Sequence, residues 1–278
     1  MADQLNQVFF PASFPELFTV WTRFPDAVPF AGGTEIIRNQ GTAYLALPQT
    51  ILSLDKIDEL GRITRTERYL EIGAMVKLNE IVQLGKIVPE ALTRCIEGIA
   101  GPQLRNLATV GGNVCVRNRR LDLSAPLVAL DAIYELRNAQ TARWISASRF
   151  SSLPGPPAIG PQELLTRIRI PLEQWGYTAY RKFGSRNAGK RGGIMVFILK
   201  NQKTTLTDIR LVFAGEEILR DKNTETLLIG KHLPLNRRDA ADFVEQWRVY
   251  LSALDQSGPL IHSEILNFIE SLMSNLSD

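Results

Sequence analysis

Two stretches, Ala31-Gly32-Gly33-Thr34 and Thr109-Val110-Gly111-Gly112-Asn113, decide how this chain reads. Paired glycines bring the main chain close to a ligand with no Cβ in the way, and they reach φ > 0 conformations in which successive N–H groups converge on an anion. A hydroxyl or amide beside each pair, Thr34 in one and Thr109 or Asn113 in the other, adds a directed hydrogen bond. Together the loops read as a phosphate clamp, whereas one glycine pair by itself reads as an ordinary turn. Neither loop fits G-x-G-x-x-G or G-x-x-x-x-G-K-[ST], so a Rossmann or nucleoside-triphosphatase reading has no motif behind it.

The flanks place the loops on elements. Ala27-Val28-Pro29-Phe30 before the first and Glu35-Ile36-Ile37-Arg38 after it predict strand, loop and helix, with the partial positive charge of the helix N-terminus at the loop. The second loop follows Leu104-Arg105-Asn106-Leu107-Ala108 and runs into Val114-Cys115-Val116, which reads as a helix-to-strand boundary. Further out, Val8-Phe9-Phe10 predicts a strand, and Ser13 with Glu16 three residues on predicts a capped helix carrying Leu17, Val20 and Trp21 on its apolar face. Leu45-Ala46-Leu47 and Ile51-Leu52-Ser53-Leu54 are strand candidates, and Ile63 to Ile72 reads as a hairpin. Leu78 to Val82 and Pro89 to Ile96 look helical, and Val128 to Leu136 contains another strand.

Proline and glycine punctuate the second half. Ser151-Ser152-Leu153-Pro154-Gly155-Pro156-Pro157, followed by Gly160-Pro161, can continue neither a helix nor a central strand. Beyond it, Ala179 to Phe183, Gly193 to Leu199 and Ile209 to Ala214 read as three strands of an antiparallel sheet. Two helices close the chain, Asp239 to Leu254 and Ile261 to Leu276, and their apolar stripes read as core.

Composition narrows the class. With 278 residues, 45% hydrophobic and 22% charged, the chain can bury a substantial core. No apolar run approaches the roughly 20 residues of a membrane span, and the residues from Met1 to Gln7 lack the basic and apolar regions of a signal peptide, so cytoplasm is the expected compartment. A net charge of +3 with no basic motif gives no ground for nucleic-acid binding. Cys95 and Cys115 are the only cysteines, too few for a four-thiolate iron–sulfur cluster, and both read as small buried hydrophobes. His232 and His262 lie far in sequence from the glycine loops, which disfavours a hydrolytic triad.

Phe30-Ala31-Gly32-Gly33-Thr34-Glu35, Ile72-Gly73-Ala74-Met75, Leu104 to Asn113 and Asp122-Leu123-Ser124-Ala125-Pro126, in that order, resemble the motifs of the FAD-binding (medium) subunit of the molybdenum hydroxylases, the xanthine dehydrogenase and carbon monoxide dehydrogenase group. Tyr180-Arg181-Lys182-Phe183-Gly184-Ser185-Arg186 and Leu211-Val212-Phe213-Ala214-Gly215 are similar to segments of that family's second domain. The resemblance implies an α+β chain: a two-lobed PCMH-type FAD-binding domain over 1–174, with Leu164 to Ile170 as an edge strand before a break near Trp175, then a small C-terminal domain over 175–278 of antiparallel sheet plus helices.

On the same resemblance, Gly32, Gly33 and Thr34 hold the FAD pyrophosphate from one side and Gly111 and Gly112 from the other, Thr109 and Asn113 add side-chain hydrogen bonds, and Ala31 and Glu35 are also expected among the cofactor-binding residues. Asp122 matches an acidic residue at the flavin's sugar chain, or else serves as a helix N-cap. Lys182 matches a basic residue near the flavin ring, or else is a solvated strand lysine. Because no histidine lies near either loop and Cys115 is the one nearby thiol, noncovalent FAD is expected. Two segments depart from the family pattern: Arg117-Asn118-Arg119-Arg120, which reads as phosphate contact or as a solvated loop, and Asn187 to Gly193, which leaves the electron acceptor open.

The implied function is electron transfer: a [2Fe–2S] cluster on a small partner subunit delivers electrons, a large molybdopterin subunit hydroxylates the substrate, and FAD here passes electrons to NAD or another acceptor. A flavin-free assembly subunit that kept the fold and a stand-alone flavin oxidase are the alternatives, and no dedicated substrate base is visible for the latter.

Overall fold

A computed structural model describes residues 6–40, 46–117, 120–151, 157–184, 192–254 and 259–277. The N-terminal strands β1 (Gln7–Phe9), β2 (Val28–Phe30) and β3 (Thr50–Ser53) form a parallel sheet in the order β1-β3-β2. Parallel neighbours need crossover connections, and the helices α1 (Phe14–Arg23) and α2 (Thr34–Arg38) lie in them. Ser13 caps α1 as expected, its Oγ accepting the Glu16 N–H at 3.4 Å, while the Glu16 carboxylate accepts from the Ala12 N–H at 2.8 Å. Leu17, Phe18 and Trp21 form the buried face of α1. Ala46 and Leu47 belong to no strand, and Leu45 lies outside the described residues.

The second sheet runs β4-β5-β8-β6-β7, with β4 (Ile63–Arg65), β5 (Tyr69–Gly73), β6 (Ile133–Arg137), β7 (Ala142–Ser146) and β8 (Leu164–Pro171) all antiparallel to their neighbours. The hairpin predicted over 63–72 is β4 and β5. The edge placement of Leu164 to Ile170 is corrected: β8 is the middle strand, paired with β5 and β6 at once. The nearby prolines precede the strand or end it at Pro171, so no ladder N–H is missing inside it, and it can pair on both sides.

Short helices are inserted along the chain between β5 and β8: α3 (Leu78–Gln83), α4 (Glu90–Glu97), α5 (Pro102–Arg105), α6 (Val110–Val114), α7 (Ser124–Ala129) and α8 (Ala147–Ser151). Every residue of α7 is buried. The C-terminal sheet has four strands rather than three, in the order β12-β11-β10-β9, with β9 (Tyr177–Phe183), β10 (Gly193–Gln202), β11 (Thr205–Ala214) and the short β12 (Ile218–Leu219). It is followed by α9 (Lys222–Thr226), α10 (Arg237–Ser252) and α11 (Pro259–Ser277).

Strand periodicity gives this sheet two working faces. Ile194, Val196, Ile198, Val212 and Ala214 join the core that also contains Leu17, Ile72, Leu92, Leu127 and Ile168. Met195, Phe197, Leu199, Ile209, Leu211 and Phe213 join a second core with Phe243, Trp247, Ile265 and Ile269 of α10 and α11. The β9 strand alternates in the same sense: Ala179 and Phe183 face the helices, and Tyr180 packs on the first core.

Candidate functional site

The strand, loop and helix expected around Gly32 and Gly33 are β2, residues 31–33 and α2. Gly33 is the α2 N-cap with φ +67°, a left-handed conformation that favours glycine, and it has no side chain to cap the helix. The first-turn N–H groups of α2 have no acceptor inside the helix, so this end of the loop presents donors. Gly32 lies hard against the segment leading to the second loop, where a Cβ would fall 1.9 Å from the Leu107 carbonyl oxygen. Close approach of two backbones, rather than a ligand alone, requires glycine there. Glu35 turns along its own helix, its carboxylate accepting from Arg38 Nε and Nη2 at 2.7 and 2.6 Å and from Asn39 Nδ2 at 3.1 Å.

The second loop is corrected more deeply. It is no helix-to-strand boundary but the start of α6, with Thr109 as N-cap and Cys115 as C-cap. Thr109 is buried and its Oγ1 accepts the Gly112 N–H at 3.0 Å. The N–H groups of Val110 and Gly111 donate to the carbonyls of Val76 and Ala74 at 3.0 and 2.9 Å. These donors are spent inside the protein, so the second loop contributes shape rather than a set of free N–H groups. Its two glycines also part company. Gly111 is buried, and a Cβ there would lie 2.7 Å from Ala74 Cβ and 2.8 Å from Ala74 O. Gly112 is exposed and faces the first loop, its would-be Cβ 4.0 Å from Ala31 Cβ.

Asn113 connects this loop to the next site residue. Its Oδ1 accepts the Leu123 N–H at 3.2 Å, fixing the backbone beside Asp122. Asp122 caps no helix, since the N-cap of α7 is Leu123 and it has no side-chain cap bond. Instead Asp122 Oδ1 accepts from Lys182 Nζ at 2.5 Å, and the Asp122 carbonyl accepts from Cys95 Sγ at 2.9 Å. The lysine is half-exposed and the aspartate nearly buried. Lys182 is therefore neither unpaired nor simply solvated. The carboxylate and the ammonium, 60 residues apart in sequence, form one charge pair between the loop before α7 and β9.

Cys95 carries more than core packing, and sequence reasoning missed it together with Gly98 and Tyr180. One signal was available: period-2 alternation puts Tyr180 and Lys182 on the same face of β9. Burial pushes the Cys95 thiol well above its ordinary value and the Cys115 thiol up to about 12, which favours the neutral thiol over the thiolate at both positions. Burial likewise raises the Tyr180 phenol.

The basic run also resolves. Arg117 is exposed, whereas Arg120 is buried; its N–H donates to Gly215 O at 3.0 Å and its Nε to Ser151 O at 3.1 Å. It joins the end of α8 to the end of the inner C-terminal strand, in place of a solvated loop. Asn118 and Arg119 lie outside the described residues, as do Ser185, Arg186 and 187–191 of the departing segment. Among the described residues there is no cluster of His, Cys, Asp and Glu able to hold a metal, and no helix long and apolar enough to cross a membrane.

Residues 4–173 match the family described as FAD binding domain in molybdopterin dehydrogenase. The chain is 28% identical over 255 residues to the carbon monoxide dehydrogenase medium chain of Afipia carboxidovorans, covering 90% of this chain and 88% of that one. It is 29% identical over 242 residues to xanthine dehydrogenase 2 of Arabidopsis thaliana, covering 80% of this chain but 18% of that much longer one. Its fold is like that of a chain in the crystal structure of quinoline 2-oxidoreductase from Pseudomonas putida 86, with a TM-score of 0.81 at 21% identity over 98% of this chain and 96% of that one.

Proposed function

This chain belongs to the FAD-binding domain family of the molybdopterin dehydrogenases, and from that premise we propose that it is the flavin-carrying electron-transfer subunit of a molybdenum-containing hydroxylase or dehydrogenase. One observation carries the reading: the two glycine loops, distant in sequence, are packed against each other at Gly32 and Leu107 and at Ala31 and Gly112, with uncapped helix donors on one side and an exposed glycine on the other. The residues fit a dinucleotide cofactor as a cradle. Gly33 and the first turn of α2 offer N–H groups to a pyrophosphate, with Ala31, Gly32 and Thr34 lining that wall. Glu35 is held by Arg38 and steadies the same short helix. Across from them, Gly112 leaves room for the phosphates to approach, and Gly111, Thr109 and Asn113 fix the position of that wall.

When bound, FAD supplies the redox chemistry, taking electrons from one partner and giving them to another. The chain orients it and sets its electrostatic surroundings. In this reading Asp122, the partner of Lys182, accepts from the hydroxyls of the cofactor's sugar chain, and Lys182 supplies positive charge that favours the more negative, reduced flavin. The flavin unit is read as residues 1–174 and the second unit as 175–278, supported by the separate core under α10 and α11.

In the assembly proposed here, a small subunit with a [2Fe–2S] cluster and a large molybdopterin subunit accompany the chain in the cytoplasm, and NAD or another acceptor receives the electrons. The medium chain from Afipia, matched over 88% of its length, supports a subunit role. The test begins with the purified chain, which should carry about one FAD, released to the supernatant by acid precipitation. Flavin left in the pellet would overturn the noncovalent assignment, and a colourless protein that takes up no FAD would overturn the function. Purification from the native source should bring iron and molybdenum along. A free homo-oligomer that turns over substrate alone would favour a stand-alone oxidase.

A further inference from the structure

We propose that the C-terminal end of α4 is a brace that positions the Lys182–Asp122 charge pair for the flavin, with Cys95 and Gly98 as its positioning residues; the inference rests on the flavin reading above. Three contacts from the last turn and cap of this one helix support it. Arg94 Nη1 donates to the Thr178 carbonyl of β9 at 3.2 Å. Cys95, fully buried, donates its S–H to the Asp122 carbonyl at 2.9 Å. Gly98 lies against the Tyr180 hydroxyl, where a Cβ would come within 2.5 Å of the oxygen and 3.1 Å of Cε1 and Cζ.

Backbone conformation does not explain the glycine. Gly98 has φ −74° and ψ −7°, which any residue adopts, and alanine at such a position favours the helical backbone. The space taken by Tyr180 is what excludes a side chain. The tyrosine hydroxyl is itself buried and makes no hydrogen bond among the described residues, so no polar partner there ties it to that spot, and its place is set by the fit of ring against helix end. The phenol is stiff, and its ring is attached to β9 two residues before Lys182, on the same face.

A displacement at Gly98 is therefore passed to the strand that carries the ammonium. The Cys95 bond controls the other partner, because it holds the main chain of the residue whose carboxylate receives that ammonium. The brace thus fixes both ends of a 2.5 Å contact from one helix. A charge-assisted bond of this length loses strength steeply with a shift of about 1 Å, the shift needed to bring a 2.5 Å carbon–oxygen approach to van der Waals distance.

The experiment compares the wild-type chain with Gly98→Ala, Gly98→Ala/Tyr180→Phe and Cys95→Ala. Three quantities are read: the Kd for FAD by flavin fluorescence, the midpoint potential of the bound flavin, and, in cofactor-free protein, the rate at which an N-hydroxysuccinimide ester acylates Lys182, mapped by mass spectrometry. Gly98→Ala should raise the Kd at least tenfold, lower the potential by moving positive charge from the ring, and speed Lys182 acylation several-fold. The double variant, which removes the oxygen that the new Cβ meets, should return all three toward wild type. Cys95→Ala should speed acylation through the Asp122 end of the pair. Wild-type values in both single variants, or a double variant no better than Gly98→Ala, overturn the brace. A wild-type chain that binds no FAD would refute the flavin reading instead, and the acylation rates would still judge the brace by themselves.

Discussion

Replacing each glycine of the second loop in turn should separate two roles that are adjacent in sequence. Gly111→Ala puts a Cβ 2.7 Å from Ala74 Cβ and 2.8 Å from Ala74 O, where ordinary contact needs about 3.5 Å or more. Both neighbours are tied to main chain, so the loop itself must retreat by nearly 1 Å. Overpacking of that kind costs about 1–3 kcal/mol. The retreat also weakens the Gly111 N–H bond to Ala74 O, now 2.9 Å, worth about 0.5–1.5 kcal/mol. A total of about 2–4 kcal/mol lowers the melting temperature by roughly 5–15 °C for a chain of this size. Gly112→Ala, by contrast, starts from an exposed position and meets chiefly the hydroxyl of buried Thr109 at 2.8 Å, and the disturbed cap costs about 1 kcal/mol or less. Its expected effect is on the cofactor: a methyl on the open wall should weaken FAD binding tenfold or more, about 1.4 kcal/mol. The assay is thermal melting of cofactor-free protein beside a fluorescence titration with FAD. A Gly111→Ala variant that melts with the wild type would refute the packing argument, and a Gly112→Ala variant that binds FAD normally would remove the second loop from the cofactor wall.

Elsewhere, Arg210 donates to Ala129 O and to Asp131 at 2.7 Å from a nearly buried position, so Arg210→Ala should cost about 2 kcal/mol in urea unfolding, and an unchanged midpoint would show the contact to be idle. Glu163 is held below the usual carboxylate range by Arg143, which donates to both its oxygens at 2.6 and 2.7 Å, despite the opposing pull of burial. A depressed folded-state pKa contributes stability above the unfolded value, near 4.3, that disappears as pH falls through the folded value. The stability gap between wild type and Glu163→Gln should therefore be full at pH 7 and close in acid; a gap constant down to pH 3 contradicts this. Finally, the raised Cys95 and Cys115 thiols should react with a disulfide reagent at pH 8 only after denaturant is added, and rapid labelling of the native chain would show them accessible as thiolates.

Local chemistry made much of this fold readable. Ser13 with Glu16 marks the start of α1, alternation and turn residues mark the β4–β5 hairpin, and long apolar stripes mark α10 and α11. In each case the determinants lie within a few residues of one another. What went unread depends on distant partners. The neighbours of β8 come from 69–73 and 133–137, so no pattern within 164–171 distinguishes a central strand from an edge. The α6 helix has five residues, two of them glycine, and propensity argues against it; the Thr109 cap and bonds to Ala74 and Val76 hold it in place. Site residues followed the same division. Gly33 could be read from its loop, whereas the meeting of Asp122 with Lys182, and Cys95 behind them, required the fold.

That meeting is fixed by packing within the chain. Lys182 sits on a sheet glued on both faces, to the first core through Ile194, Val196 and Ile198 and to the terminal helices through Met195, Phe197 and Leu199. Because successive strand residues face opposite ways, slipping β9 by one position would present Arg181 to Asp122 and bury Lys182 toward Phe268. Such a slip would also turn Ala179 and Phe183 out of the second core and Tyr180 into it, so the hydrophobic pattern enforces the register from both sides. The charge at the proposed flavin site is thus positioned by apolar burial whose cost of rearrangement is spread over a whole sheet. A single ionic contact, half open to water on the lysine side, could not hold that geometry alone. Stability at the interface and electrostatics at the site are for this reason one property of β9, and changes to the core beneath it should register in the flavin even where no atom touches the cofactor.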